Sequence, residues 1–313
     1  MRLRLTLLAA MLMSIVVSMS GGSVGTGGAD QLVPQAGWHQ PAGDPADAPQ
    51  PLPLTEPPVA SGPPTLNLDA RVSVEIDGFL TWAALDRTTG RLVSSSDRTS
   101  TTESMIKPWI VADHLRRVAE AGREPTEEEL DHARRAIRYS DNLSAEALYL
   151  ANGADAVVRR MIDMCGLTDT TVFPGWWSRT ELTAADAVRM GECIANGTAA
   201  GPEWTDWVLE EMRHVEGTTA PEDQRPEAGF EGGRWGIIDG LPPSIPVRKV
   251  AIKNGWTRVG ATNSWHVACL AIHEDWVLAV LMRYPASLSL DYGAERCAGV
   301  AQQLFTFPAA QAR

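Results

Sequence analysis

The order of elements predicted along the chain is that of an α+β protein: an antiparallel sheet flanked by helices, with an inserted helical lobe. Three observations carry this. A strand hairpin comes first, a long block of helical patterns follows, and three apolar strand patterns with a last helix close the chain. If the late strands pair with the early hairpin, the helices become an insertion within one sheet.

Taken in order, Val72 to Ile76 alternates weakly, and Phe79 to Leu85 is a stronger strand. The run from Asp86 to Arg91, with Thr88-Thr89-Gly90, has turn chemistry, and Leu92-Val93-Ser94 begins the returning strand. A helix is expected from about Ser104 to Ala121, with Pro108 early enough to be tolerated. Pro125-Thr126-Glu127-Glu128-Glu129 opens the next, its acidic first turn matching the helix dipole, and runs to about Tyr139. Further helical stretches are Ser144–Leu150, Ala154–Met164, Thr183–Asn196 (capped by Thr183 and followed by Gly197) and Trp204–His214. The pattern then returns to strands at Lys249–Lys253, Ser264–His273 and Trp276–Arg283, and an amphipathic helix covers Tyr292–Phe305.

Composition bounds what such a domain does. The chain has 313 residues, 44% hydrophobic and 21% charged, which suffices for a sizeable core. Its formal net charge of −12, with basic residues scattered, excludes a phosphate-tracking surface, so nucleic acid is not expected as a partner. Lys107, Lys249 and Lys253 are the three lysines, and arginine fills the other basic positions. A position that stays lysine is one where a compact amine of adjustable pKa has value.

The N-terminus has Arg2 and Arg4, an apolar stretch from Leu5 to Val17, and small residues to Gly21. That is a signal-peptide pattern, 1–20, with cleavage expected after Ser20; the apolar run is short for a membrane span. Left uncleaved, it would be the tie to a membrane. No cysteine follows it, so a lipoprotein anchor is not expected there. Residues 21–68 are rich in Gly, Pro and Ala, with ten prolines between Pro34 and Pro64, and are expected to form an unfolded spacer. Residues 69–313 are left as one domain, secreted or tethered outside the cytoplasmic membrane. Export makes disulfides chemically allowed. The four cysteines permit three pairings; nearness in sequence favours Cys165–Cys193 and Cys269–Cys297, with buried thiols as the alternative. Neither cysteine nor histidine spacing fits a metal site, and no cofactor is expected.

Three short motifs carry chemistry. In Ser104-Met105-Ile106-Lys107 the two polar residues are three apart at a helix start and share a face, so a neutral Lys107 amine would take the Ser104 hydroxyl proton. Ser140-Asp141-Asn142 stands between two helical segments and by itself reads as a helix cap. Lys253-Asn254-Gly255-Trp256 ends a predicted strand and by itself reads as a hairpin corner, which Asn-Gly favours. Together, in this order and on these elements, they match the S-x-x-K, S-D-N and K-T-G set. Two of the three lysines fall on the two motif lysines.

From about Arg71 to Phe307 the sequence therefore resembles the class A serine β-lactamase and penicillin-binding superfamily. The resemblance implies that Ser104 is the acylated nucleophile, Lys107 its base, and Ser140 a proton shuttle to the leaving nitrogen. Asn142 would hydrogen-bond the substrate amide and Lys107, Lys253 would attract a substrate carboxylate, and Asn254 would donate to it. The backbone N–H groups of Ser104 and Trp256 would form the oxyanion hole, and Gly255 would keep the strand edge open. The substrate implied is a small molecule or a peptidoglycan peptide.

The chain departs from the family at three points. The stretch Thr170 to Arg179, where class A enzymes carry a deacylating glutamate, has no acid, and Glu181 just beyond is assigned to the first turn of the next helix. Asn254 replaces Thr or Ser. Ser104 and Ser140 are 36 residues apart, short for class A, which implies a helix fewer in the helical lobe. Trp256, Trp176 and Trp177 would wall the cleft or simply pack in the core. The expectation is an exported acyl-serine hydrolase with slow β-lactam turnover. The alternatives are a β-lactamase with an unusual deacylation base and an inactive binding module of the same fold.

Overall fold

The computed structural model describes residues 64–306; the expected signal peptide and all but the end of the expected spacer lie outside them. Five antiparallel strands form the main sheet. They are β2 (Phe79–Asp86), β3 (Leu92–Ser94), β8 (Ala251–Val259), β9 (Ser264–Ile272) and β10 (Trp276–Pro285). Their order is β3-β2-β10-β9-β8, so the late strands do pair with the early hairpin, Ala279 standing opposite Ala83. β9 and β10 lie inside the sheet with both faces covered, which is why they read as unbroken apolar runs rather than alternating ones.

Consecutive strand residues point to opposite faces, and Leu270 and Cys269 show what covers each. On the Leu270 side lies α5 (Ala184–Ala195), so close that a Cβ on Gly191 would meet Val277 and Leu270 side chains at 2.7 and 3.0 Å. On the Cys269 side lies α7 (Leu290–Leu304), joined to β9 through a disulfide to Cys297. The second disulfide, Cys165–Cys193, ties the end of α4 (Asp155–Cys165) to α5. Both favoured pairings are present, and among the described residues no free cysteine remains.

The helical lobe is built around α1 (Lys107–Glu120), whose residues from Lys107 to Leu115 are all buried. Its Trp109 indole donates to the Val157 carbonyl of α4 at 2.9 Å. The helix α2 (Glu127–Arg138) starts at a full capping box between Thr126 and Glu129, and α3 (Asn142–Ala151) follows it. The last helix of the lobe is α6 (Gly201–Arg213).

Some sequence expectations shift. Thr65–Leu66 (β1) pairs with Phe305–Thr306 (β11) and Leu68 is buried, so the folded domain starts before the boundary at residue 69. Val72, Val74 and Ile76 are half-buried against the core but form no strand. The strand expected at Lys249–Lys253 is β8, which continues to Val259, so Asn254-Gly255 is mid-strand and not a hairpin corner. The turn lies instead between Val259 and Ser264.

Candidate active site

A cavity of about 410 Å³ opens between the helical lobe and β8. Ser104 lines it from a single 3-10 turn, Glu103–Ile106, that runs directly into α1. Glu103 enters that turn at φ 47°, a left-handed conformation unusual for a residue with a side chain. The turn is held from two sides. Thr102 N–H donates to the Thr180 carbonyl at 2.9 Å, fixing the 177–180 segment against it. On the other side, Gly255 of β8 lies against the backbone; a Cβ there would come within 2.5 Å of Ser104 N and 2.6 Å of Met105 N. This close approach requires glycine at position 255.

Lys107, the first residue of α1, has no solvent exposure. Its Nζ donates to the Ser140 carbonyl at 2.5 Å, to Ser140 Oγ at 3.2 Å and to Asn142 Oδ1 at 2.8 Å. It also stands 5.4 Å from the centre of the Trp177 ring. Burial pushes the Lys107 amine down to about 7, against the opposing pull of the Glu231 and Asp141 carboxylates. A lysine near 7 has a substantial neutral fraction and is a competent base.

The Ser140-Asp141-Asn142 segment joins α2 to α3. Ser140 sits at φ 55° and is buried, and this conformation turns its hydroxyl and its carbonyl toward Lys107. Asp141 is the helix cap that the sequence suggested: it accepts from Leu143 N–H at 3.1 Å, Ser144 Oγ at 2.7 Å and Arg135 Nε at 3.0 Å. The cap and the motif are one structure, because anchoring Asp141 aims both neighbours at Lys107.

Lys253 also has no solvent exposure, and its Nζ has no hydrogen-bond partner. Burial, and after it the nearby Lys107 charge, holds this amine well below the ordinary lysine range. Asn254 departs from the expected set. It faces away from the cavity, and its amide donates to the Gly233 and Trp235 carbonyls at 2.9 and 2.7 Å. Both of its N–H groups are thus committed to the loop behind β8, leaving none for a substrate. Trp256 does line the cavity; its indole donates to Gln224 Oε1 at 3.0 Å and packs on Trp235, ring centres 5.2 Å apart. Trp177 is buried, whereas Trp176 stands half in solvent at the cavity mouth. Glu181 is a further correction. It lies in β5 (Glu181–Thr183), which pairs with β4 (Thr99–Thr101), and its carboxylate accepts from Arg283 at 3.2 Å rather than serving a helix turn.

Three cavity-lining carboxylates were not singled out from the sequence. Glu103 precedes Ser104 and accepts from Thr101 Oγ1 at 2.6 Å, and burial raises its pKa. Thr101 Oγ1 lies 2.9 Å from His266 Nδ1, and burial pushes that imidazole down to about 4. Glu146 is four residues beyond Asn142 on α3 and accepts from Trp177 Nε1 at 2.8 Å. Helical spacing from Asn142 would have found it. Glu231, in β7 (Phe230–Glu231), accepts from Asn142 Nδ2 at 3.2 Å across 89 residues of sequence, and no local signal points to it.

No known family profile matches the chain. Against solved structures, it superposes on a reconstructed ancestral class A β-lactamase with a TM-score of 0.54 at 17% identity, covering 72% of this chain and 93% of that one. A β-lactamase from Desulfarculus baarsii gives 0.52 at 18% identity, covering 72% and 91%. The fold is that of the class A β-lactamases. Among curated proteins, the chain is 29% identical over 181 residues to "Putative lipoprotein LppW" of Mycobacterium bovis and of Mycobacterium tuberculosis. It spans about half the length of these relatives, the match covering 56% of this chain and 54% of theirs. The β-lactamase-like fold is one used by serine hydrolases, and its neighbours include enzymes that bind small molecules, one of them solved with relebactam.

Proposed function

We propose that this protein is an exported acyl-serine hydrolase that acts on cell-wall peptide or a related amide, β-lactams included, through Ser104 and Lys107. The observation that carries the reading is the Lys107 amine. It is fully buried, depressed to about 7, and held by Ser140 and Asn142 at the start of α1, which the 3-10 turn carrying Ser104 leads into. As Ser104 Oγ bonds to the substrate carbonyl carbon, its proton passes to neutral Lys107 Nζ. The scissile C–N bond then breaks, and the leaving nitrogen takes that proton back from the Lys107 ammonium through Ser140 Oγ. An ester on Ser104 and a neutral lysine remain. Water adds to the ester, releasing a carboxylic acid and restoring the Ser104 hydroxyl. The backbone N–H groups of Ser104 and Trp256 would stabilise the oxyanion. The two disulfides, and the word lipoprotein in the name of the mycobacterial relatives, support a place outside the cytoplasmic membrane. Among the described residues no helix is long and apolar enough to cross a membrane.

The second reading, full β-lactamase turnover, is favoured by Glu146, a carboxylate on the cavity wall that is free to hold a water on one oxygen while Trp177 holds the other. The test is intact mass after incubation with a penicillin, offered both as its free acid and as its neutral methyl ester. A stable adduct on the wild type and none on Ser104→Ala is the expected result. Consumption of either form without an adduct moves the reading to turnover. No adduct and no consumption of either form overturns the hydrolase reading in favour of a binding module.

A further inference from the structure

Asn142 is the residue whose amide would greet a substrate, yet both ends of that amide are already engaged. Its Oδ1 accepts from Lys107 Nζ at 2.8 Å, and its Nδ2 donates to Glu231 Oε2 at 3.2 Å. The Glu231 carboxylate is not a stray surface group. Its backbone N–H donates to the Tyr139 carbonyl at 2.8 Å, and its strand pairs with β6 (Gln224–Arg225). The backbone therefore delivers this carboxylate to the cavity wall beside the residue that precedes Ser140.

The cations that a substrate carboxylate would seek are withdrawn from the same space. Lys107 Nζ has three hydrogen-bond partners, the Ser140 carbonyl, Ser140 Oγ and Asn142 Oδ1, all of them protein atoms. Lys253 Nζ is sealed from solvent and does not reach the cavity wall. Burial lowers the pKa of both amines, and Glu231 is the acid whose charge opposes that shift in both. Of the ionisable groups on the wall, Glu103, Glu146 and Glu231 are acids and Arg179 is the one base. Arg179 sits over the Trp176 ring at 5.2 Å, toward the mouth of the cavity.

We propose that Glu231 is a built-in carboxylate that fills the acceptor place on Asn142, so that the cleft selects acyl donors with no carboxylate beside the scissile bond: neutral or cationic amides and esters. This rests on the serine hydrolase reading and narrows it. An incoming carboxylate in this cavity meets the Glu231 carboxylate on its wall, and the one lining cation, Arg179, stands beside Trp176 rather than Asn142. A neutral or amine-bearing group there meets an acceptor. Like-charge juxtaposition of this kind is how a site rejects a competitor without losing its chemistry.

The experiment compares one penicillin as free acid and as methyl ester, reading the second-order rate of Ser104 adduct formation by intact mass. Wild type, Glu231→Gln and Glu231→Ala are run alongside Ser104→Ala. The wild type is expected to favour the ester by tenfold or more, and both Glu231 variants to shrink that ratio at least fivefold by gaining on the free acid. A wild type that favours the free acid overturns the proposal, as does a ratio unmoved in both variants. If neither form labels or is consumed by any variant, the hydrolase reading itself has failed and the proposal falls with it. Labelling with an unchanged ratio removes the proposal alone.

Discussion

In the proposed mechanism Lys107 concentrates the chemistry of the site in one amine, and its burial has consequences of two kinds. A neutral amine is the form that can take the Ser104 proton, and burial brings its pKa down to about 7. The rate of Ser104 acylation should therefore rise with pH through about 7 and level off above it; a rate flat from about pH 5 to about pH 9 would remove Lys107 as the base. Lys107→Arg keeps a cation that cannot give up its proton, and should lower the rate by roughly 10²–10⁴-fold. The same depression acts on stability with a definite sign. Between about 7 and the ordinary lysine value of 10.5, the unfolded chain holds a proton at this site that the folded chain has released. Lys107 thus penalises folding in full below about 7, and the penalty fades as pH rises toward 10.5. Lys253 adds a change of the same sign.

At the scale of elements, the site depends on β8 and the turn before α1 touching backbone to backbone. Gly255 permits this, since a Cβ would stand 2.5 Å from Ser104 N, 2.6 Å from Met105 N and 2.8 Å from the Thr102 carbonyl. None of these is a flexible side chain that could swing aside. Gly255→Ala should cost roughly 1–3 kcal/mol of stability, read by chemical denaturation, and should also slow acylation by displacing Ser104. Gly260, where an added Cβ has nothing within 4 Å, is the control: Gly260→Ala should leave both readouts nearly unchanged. The same element scale explains how the second motif was legible. Its helix-cap reading and its proposed site reading are compatible, because Asp141 caps α3 while Ser140 and Asn142 both meet Lys107.

Across the whole molecule, the two disulfides fasten the two helical layers in different places. Cys269–Cys297 ties α7 to the sheet, and both cysteines are without exposure. Cys165–Cys193 ties α4 to α5, with Cys165 half-buried. Each spans a sequence separation of 28, for which chain entropy gives roughly 3–4 kcal/mol. Mild reduction of the folded protein should open Cys165–Cys193 first, with Cys269–Cys297 persisting until the chain unfolds. Alkylation and peptide mapping would show the order, and simultaneous opening of both would contradict it.

By itself the sequence determined the α+β order of elements, favoured the pairing of near cysteines, and brought forward Ser104, Lys107 and Ser140-Asp141-Asn142 as site candidates. These are legible because periodicity, capping and short spacing are local properties of a chain. Other features were decided by the tertiary structure. Asn254 turned out to face a loop, because strand alternation puts its side chain opposite Lys253 and the Gly233 and Trp235 carbonyls wait there. Glu181 was drawn into a short strand beside β4, where Arg283 holds it. The depressed amines of Lys107 and Lys253 exist because packing excludes water around them. Glu231 reaches Asn142 only because a distant hairpin folds back onto the α2–α3 junction. Charge and burial at a site are sums over neighbours brought together by the whole fold, and no window of sequence contains them.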